Sequence, residues 1–334
     1  STVTTEPRAA RSGLISPSVR TLTSDLLAPA RTCIGSSARQ DVRDRLLSAV
    51  PPLVEDLPAG EQVVITLPVL RQARQGVDIT LGSDQPFAWK PTFVRRSLGL
   101  AAIESCLQHR HATPAEAVGA VADEALATWA RTGWRTFHWE PWFGGLPTGG
   151  RSVVLAEAAT WATALWSALD WNQFASMPLT GGPDDQWICT AARTVRLKGR
   201  CELRVGITPP ECCRLGQHGA VGSGDGAVGS GDGAVGSGEG AARSRNDSTC
   251  PPTALVSVSG GVPAEDSRAD LGFLALVASL RSPSRPVPAR VAGLWPDVGA
   301  HRMLDVDGEV LGVAADKVIA TVSQWAASRR SSAA

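Results

Sequence analysis

The sequence predicts an α/β protein in which a mixed central sheet is flanked by helices. Two strand-like stretches, Thr194–Val205 and Thr253–Ser259, are separated by a glycine-rich insertion. Apolar residues recur at helical spacing before the first stretch, over 91–109 and 151–171, and again after the second. The resulting order of helices, two strands, helix, strand and helix is typical of layered α/β folds.

The first strand has the most regular pattern in the chain. Apolar or small residues take every second position: Val195, Leu197, Gly199, Cys201, Leu203 and Val205. The positions between them carry four cations and one carboxylate: Arg196, Lys198, Arg200, Glu202 and Arg204. This period of two predicts a half-buried strand with a charged outer face.

The other elements are predicted from spacing and from breaking residues. Helices are expected over 38–49, ended by Pro51-Pro52, and over 91–109, 115–130, 151–171, 264–281 and 306–327. Strands are expected over 62–68, 76–82 and 288–295. Eight of the eleven tryptophans lie between Trp129 and Trp187. We interpret them as a helical core with indole edges at its rim; a base-stacking platform is the alternative.

The domain organisation follows from composition. Residues 1–22 lack periodicity and are expected to form a flexible arm. Residues 23–213 and 250–330 are expected to form one α/β domain, interrupted by a disordered insertion over 214–249. That insertion contains three copies of a seven-residue glycine-rich unit over 220–240, which indicate a flexible loop grown by duplication. Lengthening a loop adds little closure entropy, so the strands on either side can still pair.

Composition excludes some classes of function. Basic and acidic residues number 32 each, so binding to nucleic acid requires a local patch rather than overall charge. Seven scattered cysteines and the lack of an apolar leader favour a reducing, cytoplasmic location. The sequence contains no apolar run long enough to span a bilayer, so no membrane partner is expected. A zinc site is an alternative use of four residues at the insertion, namely Cys212, Cys213, His218 and Cys250, although the adjacent cysteines lack the usual spacer. Nucleotide-binding and common hydrolase motifs are missing from the sequence.

Four segments in order carry a family resemblance: Phe93–Ala102 on an early helix, Leu197–Arg204 and Ala254–Gly261 on the strands, and Arg268–Leu276 on the next helix. In this order they resemble the RecB-like branch of the PD-(D/E)XK nuclease superfamily, particularly its short actinobacterial proteins. The resemblance covers roughly residues 85–325. It implies a restriction-endonuclease-like fold and Mg²⁺-dependent cleavage of DNA.

The resemblance also implies catalytic positions, and this chain departs from them. Glu202 matches the first metal-binding acid, where Asp is usual. The second acid and the lysine fall on Ser257 and Ser259, which supply neither a magnesium-binding carboxylate nor a positive charge. Where the family's next helix often carries Gln and Tyr, this chain has Asp270 and Leu274. The resemblance therefore implies a degenerate metal site.

Other charged residues have two interpretations each. Glu157 is a further candidate metal ligand or a solvated surface acid. Glu202 is a remnant of a metal site or a surface acid that balances its cationic neighbours. Four cations, Arg196, Lys198, Arg200 and Arg204, are candidates for contacting a phosphate backbone, or are simply solvated strand residues.

Three functions follow as hypotheses. The first is a nuclease-fold protein with impaired catalysis that binds nucleic acid or acts as a scaffold. The second is an active Mg²⁺-dependent DNA exonuclease or endonuclease that uses Glu202 and Glu157 with Asp266 or Asp270. The third is a protein-interaction module with no nucleic-acid role.

Overall fold

The structure of the chain is a computed structural model. It describes residues 17–29, 36–57, 62–77, 89–132, 139–174, 185–189, 195–206, 253–281 and 287–333. Within these ranges the helices are α1 (Pro17–Leu27), α2 (Ser36–Val54), α3 (Leu67–Arg74), α4 (Pro91–Leu107), α5 (Pro114–Thr132), α6 (Glu140–Gly144), α7 (Thr148–Ala168), α8 (Ser267–Arg281) and α9 (Gly308–Ala333). The strands are β1 (Val63–Ile65), β2 (Asp185–Ile188), β3 (Val195–Gly199), β4 (Leu203–Gly206), β5 (Thr253–Val258), β6 (Pro288–Trp295) and β7 (Ala300–Asp305).

The strands form two mixed sheets. One sheet has the order β1-β3-β2, in which β1 is parallel and β2 antiparallel to the central strand. The other has the order β4-β5-β6-β7, in which the β5–β6 pair is parallel and both outer pairs are antiparallel. Helix α8 connects the two parallel strands, as a crossover between neighbouring parallel strands requires. The predicted α/β class with mixed pairing is confirmed, but the strands form two sheets where a single central sheet was expected.

Helices cover both faces of the four-stranded sheet. On one face, Leu255 and Val291 pack into a core cluster with residues of α2, α8 and α9. On the other face, Val256 and Leu294 pack with residues of α1, α4 and α7. All eight residues of β6 are buried, as expected for a central strand covered on both sides.

Two glycines allow close packing between layers. A Cβ atom at Gly199, the last residue of β3, would lie 3.1 Å from Leu274 Cδ2 on α8. A Cβ atom at Gly99 would lie 2.5 Å from a ring carbon of Trp161, so this glycine lets the indole of α7 pack directly against α4. Trp161 is 2% exposed, in agreement with its interpretation as a core residue.

The predicted single strand over 194–205 is two strands in the structure. Strand β3 ends at Gly199, β4 begins at Leu203, and the two belong to different sheets. The three residues between them, 200–202, turn the chain, and Glu202 is 2% exposed instead of facing solvent. The second half does pair with the strand after the insertion, because Leu203–Gly206 is antiparallel to Thr253–Val256.

The N-terminal prediction is wrong for residues 17–22, which begin helix α1; residues 1–16 lie outside the described part of the chain. Leu22 and Leu26 are 3% and 1% exposed, so this helix belongs to the core. Its last turn is held by the buried Arg290, which donates to the carbonyls of Leu26 (3.2 Å) and Ala28 (3.3 Å). These contacts satisfy carbonyls that a helix end leaves without intrahelical partners.

Several other boundaries differ from the prediction. Helix α2 continues through Pro51-Pro52 to Val54, and Val50 and Val54 keep it packed in the core despite the missing N–H donors. Helix α3 and strand β7 were not predicted; both are short, and α3 begins immediately after the strand at Leu67-Pro68. Most of the predicted strand over 76–82, the insertion over 214–249 and the four candidate zinc ligands lie outside the described residues.

None of the helices in the described ranges is long and apolar enough to cross a membrane.

Candidate functional site

The bend between β3 and β4 places Glu202 inside the protein. Its backbone N–H donates to the Val256 carbonyl at 2.9 Å, which extends the β4–β5 ladder by one bond. Its side chain turns inward, and Oε2 accepts a hydrogen bond of 2.5 Å from the Val258 N–H. Glu202 is thus fixed to β5 at two points, by its backbone and by its carboxylate.

The second carboxylate oxygen of Glu202 faces a guanidinium group. Arg96 Nη2, from the first turns of α4, makes a close ion contact with Oε1. Arg200 Nε lies 3.6 Å from the same oxygen. The side chains of Glu202, Arg96 and Arg200 are 0%, 29% and 50% exposed, so Arg96 is the more deeply placed counter-ion. A buried carboxylate requires such a partner.

The neighbouring Cys201 lies between two ion pairs. Burial, followed by the nearby Asp185 carboxylate, raises the pKa of its thiol to about 12, while Arg204 and Arg96 act in the opposite direction. The thiol therefore stays protonated at neutral pH. Because the thiolate is the form that binds metals and attacks electrophiles, Cys201 serves here as a small buried apolar side chain.

The residues around Glu202 do not fit a magnesium ion. Both of its carboxylate oxygens already contact donors or cations of the protein. Ser257 is 7% exposed and neutral, and Ser259 is partly exposed and neutral. In the described part of the chain no group of three His, Cys, Asp or Glu side chains is arranged to hold a metal ion. Magnesium prefers several oxygen ligands with carboxylates among them, so this donor set is too poor.

The other candidate acids lie in different environments. Glu157 is exposed on α7, on the side away from the buried stripe of Val154, Ala158 and Trp161. Asp270 is occupied by arginines: its Oδ2 accepts from Arg71 Nε at 2.8 Å and its Oδ1 from Arg74 Nη2 at 2.5 Å.

Asp266 has a 65% exposed side chain, with one oxygen 3.5 Å from Arg74 Nη1. Of the acids predicted as metal ligands, each one thus faces arginines or solvent.

Arg204 is also turned inward. Its Nη2 contacts Asp185 Oδ2, and Arg281 Nη1 donates to Asp185 Oδ1 at 2.5 Å. The Asp185 side chain is 4% exposed, whereas the two arginines are 23% and 24% exposed. This triad joins β2, β4 and α8, so it links the two sheets. Arg204 is therefore part of an internal ion network and is not a surface cation.

The remaining three candidate cations lie near the outer face of the three-stranded sheet. Val195 and Leu197 point into the core, so the alternating Arg196 and Lys198 point away from it. Arg196 is partly exposed, and Lys198 and Arg200 are exposed. The cross-strand neighbours of Arg196 are Val64 and Ile188, and that of Lys198 is Gln186 (all three exposed). These neighbours carry no negative charge.

Sequence reasoning missed three residues that define the site. Nothing local in the sequence pairs Arg96 with Glu202, or Arg281 with Asp185. The one usable signal was that Asp185 stands between turn residues and the apolar-polar alternation of Gln186–Ile188, which suggests a short strand.

No family model, no curated protein and no solved structure matches the chain. The function of the site is therefore argued from the residues described above.

Proposed function

We propose that this chain is a nuclease-like α/β protein that binds nucleic acid through the outer face of β3 and does not cleave it. The observation that carries the proposal is the division of charge along 196–204. The only acid of this stretch, Glu202, is withdrawn from the surface, whereas Arg196, Lys198 and Arg200 are left at or near it. The surface of β3 is therefore cationic without any acid of its own.

The geometry of this face supports contact with a phosphate backbone. Arg196 and Lys198 alternate along β3, so their Cα atoms are spaced by about 6–7 Å, and Arg200 follows two residues later at the start of the bend. Cations in such a row bind phosphates without reading base sequence, which predicts affinity with little sequence preference. Because the overall charge is zero, attraction to a phosphate backbone requires a local cationic patch, and this face provides one.

The lack of cleavage is supported by the state of Glu202. Its carboxylate is bound by Arg96 and by the Val258 N–H, and serines stand at the positions of the second acid and the lysine. A nuclease of the family that the chain resembles needs a metal to activate water. We propose that the arginine takes over the charge balance that a metal ion would otherwise supply.

Fluorescence anisotropy with labelled single-stranded and duplex DNA tests the proposal. Three phosphate contacts predict that log K falls with log salt concentration with a slope of about −2 to −3. Lys198→Glu should weaken binding and reduce the magnitude of that slope by about 1.

Arg131→Glu provides a matched control, because Arg131 is also an exposed cation but lies on α5. We expect it to leave the slope unchanged. Absence of DNA affinity, or equal affinity of the Lys198→Glu and Arg131→Glu proteins, would contradict the proposal. The first of these results would favour a protein-interaction module.

A further inference from the structure

A pocket lies between helices α3, α8 and α9, and none of its lining residues belongs to β3. Its volume is about 160 Å³. Its floor is apolar and consists of Leu70, Phe273 and Ala314, which are 5%, 1% and 4% exposed. Because an apolar cavity of about 150 Å³ is large enough to admit benzene, this pocket has room for one six-membered ring.

One wall of the pocket is a saturated ion cluster. Asp270 lines the pocket with Arg74, and its two oxygens accept from Arg71 and Arg74 at 2.5–2.8 Å. The side chain of Asp270 is 6% exposed, so its charge is neutralised within the protein. Arg74 also lies 3.5 Å from Asp266 on the solvent side. The Asp270 carboxylate therefore does not give this wall of the pocket a net negative charge.

The opposite wall supplies hydrogen-bond donors. Lys317, Thr321 and Gln324 of α9 line the pocket at positions i, i+4 and i+7, which share one helix face. The Thr321 hydroxyl donates to the Lys317 carbonyl at 2.7 Å, so it is used within the helix. The Lys317 ammonium and the Gln324 amide are the groups on this wall that suit an anionic acceptor.

Charge and shape together define a ligand class. Two cations, Arg74 and Lys317, and one carboxylate, Asp270, line the pocket, so its net charge is positive. The apolar floor is too small for more than a ring or a branched aliphatic group. We propose that the pocket binds a small monocarboxylate, with its apolar part against the accessible alanines of the lining, Ala73, Ala269 and Ala320, and its carboxylate toward Lys317. This site is independent of the nucleic-acid surface.

Isothermal titration calorimetry of the full chain with benzoate and with neutral benzamide tests the proposal. Both probes have the same ring, so the difference between them reports the charge of the ligand. We expect saturable binding of benzoate and an affinity for benzamide that is at least about tenfold lower, because hydrogen bonds to charged groups are the stronger ones.

Lys317→Gln should lower the benzoate affinity about tenfold, toward that of benzamide, because it removes the ammonium while keeping a good helix former. Lys90→Gln is the matched control, since Lys90 is a lysine outside the pocket. Equal binding of the two probes to the wild-type chain would overturn the proposal whether or not the variant folds. It would equally be overturned by lack of saturable benzoate binding, or by unchanged affinity in a folded Lys317→Gln protein.

Discussion

The strand residues before and after the bend at 200–202 have the same alternating pattern but different surroundings. In β3, Arg196 and Lys198 point away from the core and lie beside neutral cross-strand neighbours. From Glu202 onward each charged side chain turns inward and meets an opposite charge: Glu202 meets Arg96, and Arg204 meets Asp185. The comparison shows that alternation reports which residues share a face, but not whether that face is open to solvent.

The difference has a physical origin in what covers each sheet. The outer face of the three-stranded sheet leaves Val64 and Ile188 36% and 40% exposed. The four-stranded sheet is covered by helices on both faces, so polar groups directed at either helix layer lose water and need partners. Arg96 and Arg281 are supplied by those covering helices.

The largest effect is expected at the triad that links the two sheets. Asp185→Ala leaves Arg204 and Arg281, which are about three quarters buried, without their carboxylate. Removing one partner of a buried ion cluster typically costs about 3–5 kcal/mol. We expect a loss of about 3 kcal/mol in the free energy of unfolding, given the partial exposure of the arginines, measured by urea denaturation.

Asp56→Ala is the control for this experiment, because Asp56 belongs to an exposed pair with Arg330 at 3.7 Å and is 78% exposed. Its effect should be no more than about 0.5 kcal/mol, as for other surface pairs. Equal urea midpoints for Asp185→Ala and Asp56→Ala would show that the ion cluster of Asp185, Arg204 and Arg281 does not stabilise the fold.

A smaller effect is expected at Glu202, where two arginines can be compared directly. Arg96→Gln removes the deeper counter-ion of a fully buried carboxylate, and we expect a loss of about 2 kcal/mol in the free energy of unfolding. Arg200→Gln removes a half-exposed arginine whose Nε is 3.6 Å away, and its expected cost is below about 0.5 kcal/mol. Urea denaturation of both variants gives the comparison.

If Arg200→Gln were the more destabilising variant, the assignment of Arg96 as the principal partner would be wrong. The carboxylate would then be balanced from the strand itself, as the alternating sequence alone suggests.

The elements that were predicted best from sequence spacing are those that bury their apolar residues in the core. Strand β6 has the predicted bounds of 288–295, and α8 buries the predicted Leu271, Leu274 and Val277. The bend at 200–202 was not predictable, because the alternation of apolar and charged residues continues through it. The bend is determined by contacts with residues that are distant in the sequence.

The candidate site was predictable only in part. Glu202, Ser257 and Ser259 were candidate positions on the expected resemblance alone. The burial of Glu202, and its pairing with Arg96, depend on where α4 packs, and no local pattern specifies that position. Arg204 was predicted to be a surface cation for the same reason. Its partner Asp185 lies on a different strand, and only folding brings the two side chains together.

Nuclease activity on labelled single-stranded and duplex DNA, with Mg²⁺ or Mn²⁺, tests most directly whether Glu202 is an ion-pair partner and not a metal ligand. The assay compares the wild-type chain with Glu202→Gln, which keeps an oxygen to accept from the Val258 N–H. We predict that neither protein cuts DNA with either metal. Metal-dependent cutting by the wild-type chain that disappears in Glu202→Gln would contradict the account and show that the carboxylate is released from Arg96 to bind metal.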